Sequence, residues 1–107
     1  MLHYAMELSE LIQVFKKKIV IEDSTLLMVW LYNSVYAIQD RCTHLGASLS
    51  KGTIDQDRVT CRSHGASFEL STGNLVEKPH IGPLKMPAKK AKTFPTVIKE
   101  GKIYIDL

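Results

Sequence analysis

The chain has few of the residues that would make it a disulfide-stapled, membrane-spanning or nucleic-acid-binding protein. Only two of its 107 residues are cysteine, so at most one disulfide could form. Both thiols fall in short motifs that claim them for something else, which fits a reducing cytosol. No apolar run approaches the length of a bilayer span, and the opening Met1-Leu2-His3-Tyr4-Ala5-Met6-Glu7-Leu8 lacks a basic segment ahead of an apolar stretch. The expectation is a soluble, cytoplasmic protein with no membrane partner. Charge of one sign is scarce as well: fourteen basic against eleven acidic residues leave a net charge of +3. The basic residues nevertheless cluster, with Lys16-Lys17-Lys18 in one run and Lys85, Lys89, Lys90 and Lys92 on a segment punctuated by Pro83, Pro87 and Pro95. No aromatic residue is interleaved with the basic ones between Lys85 and Lys92, and no nucleic-acid-binding motif is present. A solvated face, or contact with an acidic partner surface, is the better reading of those lysines. Repeats and low-complexity tracts are absent, and 45% apolar with 23% charged residues is ordinary for a globular chain. Residues 1–107 are expected to form a single domain.

What is present reads as β throughout. Residues 19–21 and 26–32 are rich in β-branched, aromatic and aliphatic side chains, and the second run is continuous enough to be buried on both faces. Trp30 and Tyr32 lie in that run, so core packing is their expected role. Asn33-Ser34 suits a tight turn into residues 35–38. Strand pairs are expected at 53–54 with 58–60, at 67–70 with 75–76 across Ser71-Thr72-Gly73-Asn74, and at 96–98 with 103–105. In the last pair, Ile103, Ile105 and Leu107 share one side of a period-two ribbon. Residues 8–15 are the one candidate helix. The whole implies an all-β fold, an antiparallel barrel or sandwich with a small lobe inserted between hairpins at about residues 40–84.

The chemistry sits in two blocks. Cys42-Thr43-His44-Leu45-Gly46 and Cys61-Arg62-Ser63-His64-Gly65 use both cysteines and two of the four histidines, with sixteen residues between His44 and Cys61. Two loops hung from strand ends could thus offer two sulfur and two nitrogen ligands, Cys42, His44, Cys61 and His64, to one inorganic centre. Zinc modules with this donor set usually place Cys beside Cys and His beside His in sequence. Here the types are mixed within each block. A two-iron cluster explains the mixture, with both thiolates on one iron and both imidazoles on the other. Zinc on the same four ligands, giving a metal-stabilised binding module, remains open. So does a thiol enzyme in which a histidine activates Cys42 or Cys61, although it leaves the duplicated spacing unexplained. His3, as a floppy terminal residue, and His80, as an exposed loop imidazole in Lys78-Pro79-His80, are not expected to be ligands.

The pattern Cys-x-His, sixteen residues, Cys-x-x-His resembles the Rieske iron-sulfur signature. The likeness extends over nearly the whole chain to the small ferredoxins of bacterial and archaeal oxygenase systems, through Val35-Tyr36-Ala37-Ile38, Ala47-Ser48-Leu49-Ser50-Lys51-Gly52, Phe68-Glu69-Leu70-Ser71-Thr72-Gly73 and the closing strand pair. The resemblance implies a Rieske fold with one 2Fe-2S cluster at the tip of a lobe made by the two loops and a proline-containing third loop, for which Ile81-Gly82-Pro83-Leu84 is similar. It implies a one-electron carrier rather than an enzyme. The donor would be a flavin-dependent or other reductase, and the acceptor a terminal oxygenase or similar redox protein.

Departures from the respiratory branch of that family are informative. Its extra cysteine pair is represented here by Ala47 or its neighbour and by Ser63, so the disulfide between the loops cannot form. Its serine and tyrosine donors to the cluster sulfurs correspond to Ala66 and Phe68. Donors aimed at the sulfurs stabilise the reduced state, so their loss implies a potential low in the Rieske range.

Overall fold

A computed structural model describes residues 1–43 and 46–107 of the chain. The elements run β1 (Leu2–Glu7), α1 (Leu8–Val14), β2 (Lys16–Ile21), β3 (Ser24–Leu31), β4 (Ser34–Gln39), a 3-10 turn (Leu49–Lys51), β5 (Thr53–Asp55), β6 (Arg58–Thr60), β7 (Ser67–Glu69), β8 (Leu75–Glu77), β9 (His80–Ile81), β10 (Leu84–Lys85), β11 (Thr96–Lys99) and β12 (Lys102–Asp106). They form four antiparallel sheets in the orders β2-β3-β4, β1-β12-β11, β5-β6-β7-β8 and β9-β10. The all-β expectation holds, as layered sheets without a closed barrel. No helix among the described residues is long and apolar enough to cross a membrane.

The apolar run in β3 explains how the layers assemble. Successive side chains of a strand point to opposite faces, and here both faces are covered. Leu26 and Met28 enter one core with Met6, Leu11, Ile103 and Ile105, while Leu27 and Val29 enter a second with Ile38, Val59, Phe68 and Leu70. The second core also contains Cys42 and Cys61. The candidate metal loops are therefore built on the opposite face of the strand that holds the terminal sheet.

Tight turns set the strand registers. Leu31 faces Ser34, so the turn is Tyr32-Asn33, one residue earlier than the Asn33-Ser34 turn expected from the sequence. Both residues have positive φ, 50° and 59°, the backbone that a two-residue hairpin needs to follow strand twist. Helix α1 ends one residue before the predicted Phe15, which has φ 68° and donates its amide to the Leu11 carbonyl at 2.8 Å.

The amino terminus differs most from expectation. His3 is not a floppy end residue but sits in β1, paired with Ile105 of β12 and partly buried. Leu107 in turn is 37% exposed, and only Ile103 and Ile105 of the predicted ribbon reach the core. Between these strands, the Tyr4 hydroxyl donates to Glu7 at 2.6 Å and the Lys102 ammonium donates to the same carboxylate at 3.1 Å. The Tyr4 bond first, and then Lys102, hold the Glu7 carboxyl below its usual range, and Glu7 in return raises the Tyr4 phenol. A carboxyl lowered by folding contributes stability above its unfolded-state value, lost as pH falls through the folded-state one. Tyr4→Phe is therefore expected to move the Glu7 midpoint upward and to weaken the acid dependence of unfolding, as read by an NMR titration of the Glu7 side chain.

Candidate metal centre

Both cysteines open short loops carried on β-pairs. Residues 42–47 are closed by an antiparallel bridge between Arg41 and Ser48, and residues 61–66 by the Thr60–Ser67 pair of β6 and β7. The loops read Cys-Thr-His-Leu-Gly-Ala and Cys-Arg-Ser-His-Gly-Ala, and their backbones are fastened alike. The Cys42 amide donates to the Ala47 carbonyl at 2.7 Å, and the Cys61 amide to the Ala66 carbonyl at 2.7 Å. Gly46 and Gly65 donate back to the Cys42 and Cys61 carbonyls at 2.9 and 3.1 Å. The two glycines have φ of 76° and 77°, a region costly for any residue with a Cβ. The likeness of the blocks therefore extends past ligands and glycines to Ala47 and Ala66. It is masked in the sequence because the histidine is third in one loop and fourth in the other.

Cys42 and Cys61 are each 3% exposed, lie in the same core as Ala66 and Phe68, and are not joined in a disulfide. His64 is partly exposed, and its carbonyl accepts the His80 amide at 2.8 Å. His44, together with Leu45, lies outside the described residues. Two buried thiols at one loop position, with imidazoles two and three residues on, make a donor set that fits a 2Fe-2S group held by Cys42, Cys61, His44 and His64.

The surrounding residues hold the loops in place. Asp40, 2% exposed, accepts the Ser48 hydroxyl at 2.5 Å and the Ser50 amide at 2.9 Å, with Lys18 Nζ at 3.6 Å. Its carbonyl accepts the Leu49 amide at 2.6 Å. This buried carboxylate ties down the strand that leads to Cys42, and nothing in the sequence sets it apart from an ordinary turn aspartate. Gly52 links the two halves of the site, since a Cβ there would lie 2.0 Å from the Thr60 carbonyl oxygen, just before Cys61. Thr60 and Ser67 hydroxyls meet at 2.9 Å across the mouth of the second loop.

A strap of chain then crosses both loops. His80 is exposed but not a simple loop residue: it is in β9, and its ring lies against Gly65, 2.9 Å from where a Cβ would stand. Further along, the Thr43 hydroxyl donates to the Lys89 carbonyl at 2.6 Å. Pro83 is exposed in the turn between β9 and β10, whereas Pro87, with Ala88 and Lys89, lines a cleft beside Thr43.

Comparison with known proteins gives a consistent answer. A family model described as the Rieske [2Fe-2S] domain matches residues 2–95. The chain is 44% identical over 71 residues to the 3-phenylpropionate/cinnamic acid dioxygenase ferredoxin subunit of Photorhabdus laumondii, covering 65% of this chain and 61% of that protein. It is 40% identical over 70 residues to ferredoxin CarAc of Metapseudomonas resinovorans, covering 65% and 59%. The match thus spans about three fifths of these curated relatives. In structure it is similar to the ferredoxin of carbazole 1,9a-dioxygenase from Nocardioides aromaticivorans, with TM-score 0.82, 20% identity and coverage of 97% and 95%, which speaks for the fold. It is also similar to a chain from a complex of oxygenase and ferredoxin in carbazole 1,9a-dioxygenase, with TM-score 0.75, 28% identity and coverage of 97% and 91%.

Removing Asp40 leaves the Ser50 amide and the Ser48 hydroxyl without their acceptor in a partly buried setting. Asp40→Ala is expected to cost about 2 kcal/mol and Ser48→Ala about 1 kcal/mol, as measured by urea unfolding, with iron retention falling further in the first variant than in the second.

Proposed function

The chain belongs to the Rieske [2Fe-2S] domain family, and from that premise we propose that it carries single electrons from a flavin-dependent or other reductase to a terminal oxygenase or similar redox acceptor, without turning over a substrate itself. The observation that carries this reading is the pair of equivalent six-residue loops whose thiols are buried in one core. In it, Cys42 and Cys61 would hold one iron and His44 and His64 the other, and the group so held would supply one reversible electron.

The protein's own residues set the conditions for that exchange. Phe68, fully buried, and Ala66, 1% exposed, wall the core beside the cysteines with hydrocarbon and exclude water. Neither brings a hydroxyl, so the reduced state has fewer donors to stabilise it. His64 is partly exposed, which fits an exit for the electron through an imidazole edge rather than through the core. The strap from His80 to Lys89 braces both loops without needing the disulfide that the chain lacks.

An oxygenase as acceptor is supported by the names of the relatives, which are ferredoxin subunits of dioxygenase systems, and by a structural neighbour from an oxygenase–ferredoxin complex. The proposal treats residues 1–107 as one domain with the cluster-binding lobe at about 40–84. The two cores sharing β3 support that division. A cytoplasmic location belongs to the same reading, because thiolate ligands persist best in a reducing compartment.

Two outcomes are expected. Purified protein should be silent in electron paramagnetic resonance when oxidised and give a rhombic signal after dithionite, with iron and no zinc by assay. Zinc without iron, and no signal after anaerobic reconstitution, would move the chain to the binding-module class, and His64→Ala should abolish the signal while Cys42 and Cys61 remain in place. Ala66→Ser adds a hydroxyl at the core wall. If it contributes one hydrogen bond of about 1 kcal/mol to the reduced state, the one-electron potential should rise by roughly 40 mV in voltammetry.

A further inference from the structure

The small net charge conceals a strong segregation. Segments 41–54, 58–68 and 78–99 contain no aspartate or glutamate at all, and both loops and the strap lie within them. Four exposed cations stand around the loops there. Arg41 closes the first loop, its guanidinium 2.9 Å from where a Gly46 Cβ would lie, and the Lys89 carbonyl anchors Thr43 on the same side. Arg62 is part of the second loop, and Lys85 pairs across the hairpin with His80, whose ring covers Gly65. Where carboxylates of the described residues form ion pairs with lysine or arginine, the cations are others: Lys17–Glu10, Lys18–Asp40, Arg58–Asp57 and Lys102–Glu7. None of the four loop cations has an ion-pair partner among the described residues. Beside Lys85, the cross-strand pair Ile81 and Leu84 is 56% and 63% exposed, too apolar to be left in water without reason on a strap this short.

We propose that Arg41, Arg62, Lys85 and Lys89 form a cationic rim, with Ile81 and Leu84 as its apolar contact, that docks the acidic face of a partner redox protein over the ligand loops. The inference rests on the electron-carrier reading and adds the sign and position of the contact. An apolar patch within a polar rim is the usual anatomy of a transient interface. Charges of one sign around it steer encounter and fix orientation more than they add affinity. Single-stranded nucleic acid is disfavoured because residues 41–54, 58–67 and 78–92 offer no phenylalanine, tyrosine or tryptophan for base stacking. In the docked pair one electron passes from the partner's reduced centre to this protein, with no bond made or broken.

The test uses the iron-loaded protein and flavodoxin as an acidic redox protein of known charge. Its reduction by flavodoxin hydroquinone is followed by stopped flow, and its binding of oxidised flavodoxin by calorimetry, from about 20 mM to about 500 mM salt. The rate should fall roughly tenfold or more over that range. R62Q/K85Q/K89Q should lose most of the low-salt rate and affinity, whereas K17Q/K99Q/K102Q, with the same net charge but outside the rim, should change either by less than about twofold. Salt-independent rate and affinity, or equal losses in the two triple variants, would overturn the rim. Equally tight binding of an oligothymidylate by the same residues would overturn the assignment to a protein partner. A protein that binds flavodoxin as described but shows no dithionite-reducible signal would instead sink the electron-carrier reading and leave the docking surface standing.

Discussion

The structure depends on burying one strand from both sides. β3 carries Leu26, Leu27, Met28 and Val29 in sequence, and no single-faced sheet could hide all four. Two cores form because the side chains alternate, and each core recruits what is available: terminal strands and α1 on one face, the β5–β8 sheet and both cysteines on the other. A metal site needs ligands held by something that does not yield. Here the thiols are fixed to one buried side of a shared wall, so distortion of the loops is resisted by packing at Phe68, Leu49 and Val59 as well as by hydrogen bonds.

Within that frame the same local solution is used twice. Each loop is a six-residue excursion from a β-pair, tied by a hydrogen bond from the amide of its first residue to the carbonyl of its last and turned by a glycine at its fifth. The repetition concerns backbone more than side chains, which is why alanines take part. What differs in sequence is the place of the histidine, third in the first loop and fourth in the second. The second loop is an extension of the β6–β7 pair within a four-stranded sheet. The first lacks such a ladder and depends on Asp40, Ser48 and Ser50 for its closure.

Much of this was legible in the sequence. Mixed Cys and His blocks, followed by glycine, pointed to an inorganic centre, and the hairpins of β3–β4, β5–β6 and β11–β12 follow from apolar, β-branched runs around turn-formers. What escaped notice has a physical reason. β1 carries exposed Leu2 and Tyr4 and becomes a strand only by pairing with β12 at the other end of the chain, a non-local contact that periodicity cannot show. Asp40 reads as a turn residue, and only the fold shows its carboxylate buried and accepting from Ser48 and Ser50. The tie between Thr43 and Lys89 joins residues far apart in sequence. His44 could be proposed from the sequence alone, since it lies outside the described residues.

The pairing of Leu2 with Asp106 has a consequence for the order of assembly. The β2-β3-β4 meander and the β5–β8 ladder are made of sequence neighbours and close short loops, so they are expected to form early. The terminal sheet must join residues about a hundred positions apart, and contacts of that range slow folding even though lengthening a closed loop costs only about 0.6 kcal/mol per doubling. The cluster pocket is thus expected to take shape while one face of β3 is still exposed, and an apoprotein caught at that stage would present Leu26 and Met28 to water, a temporary hazard that favours early loading and rapid closure.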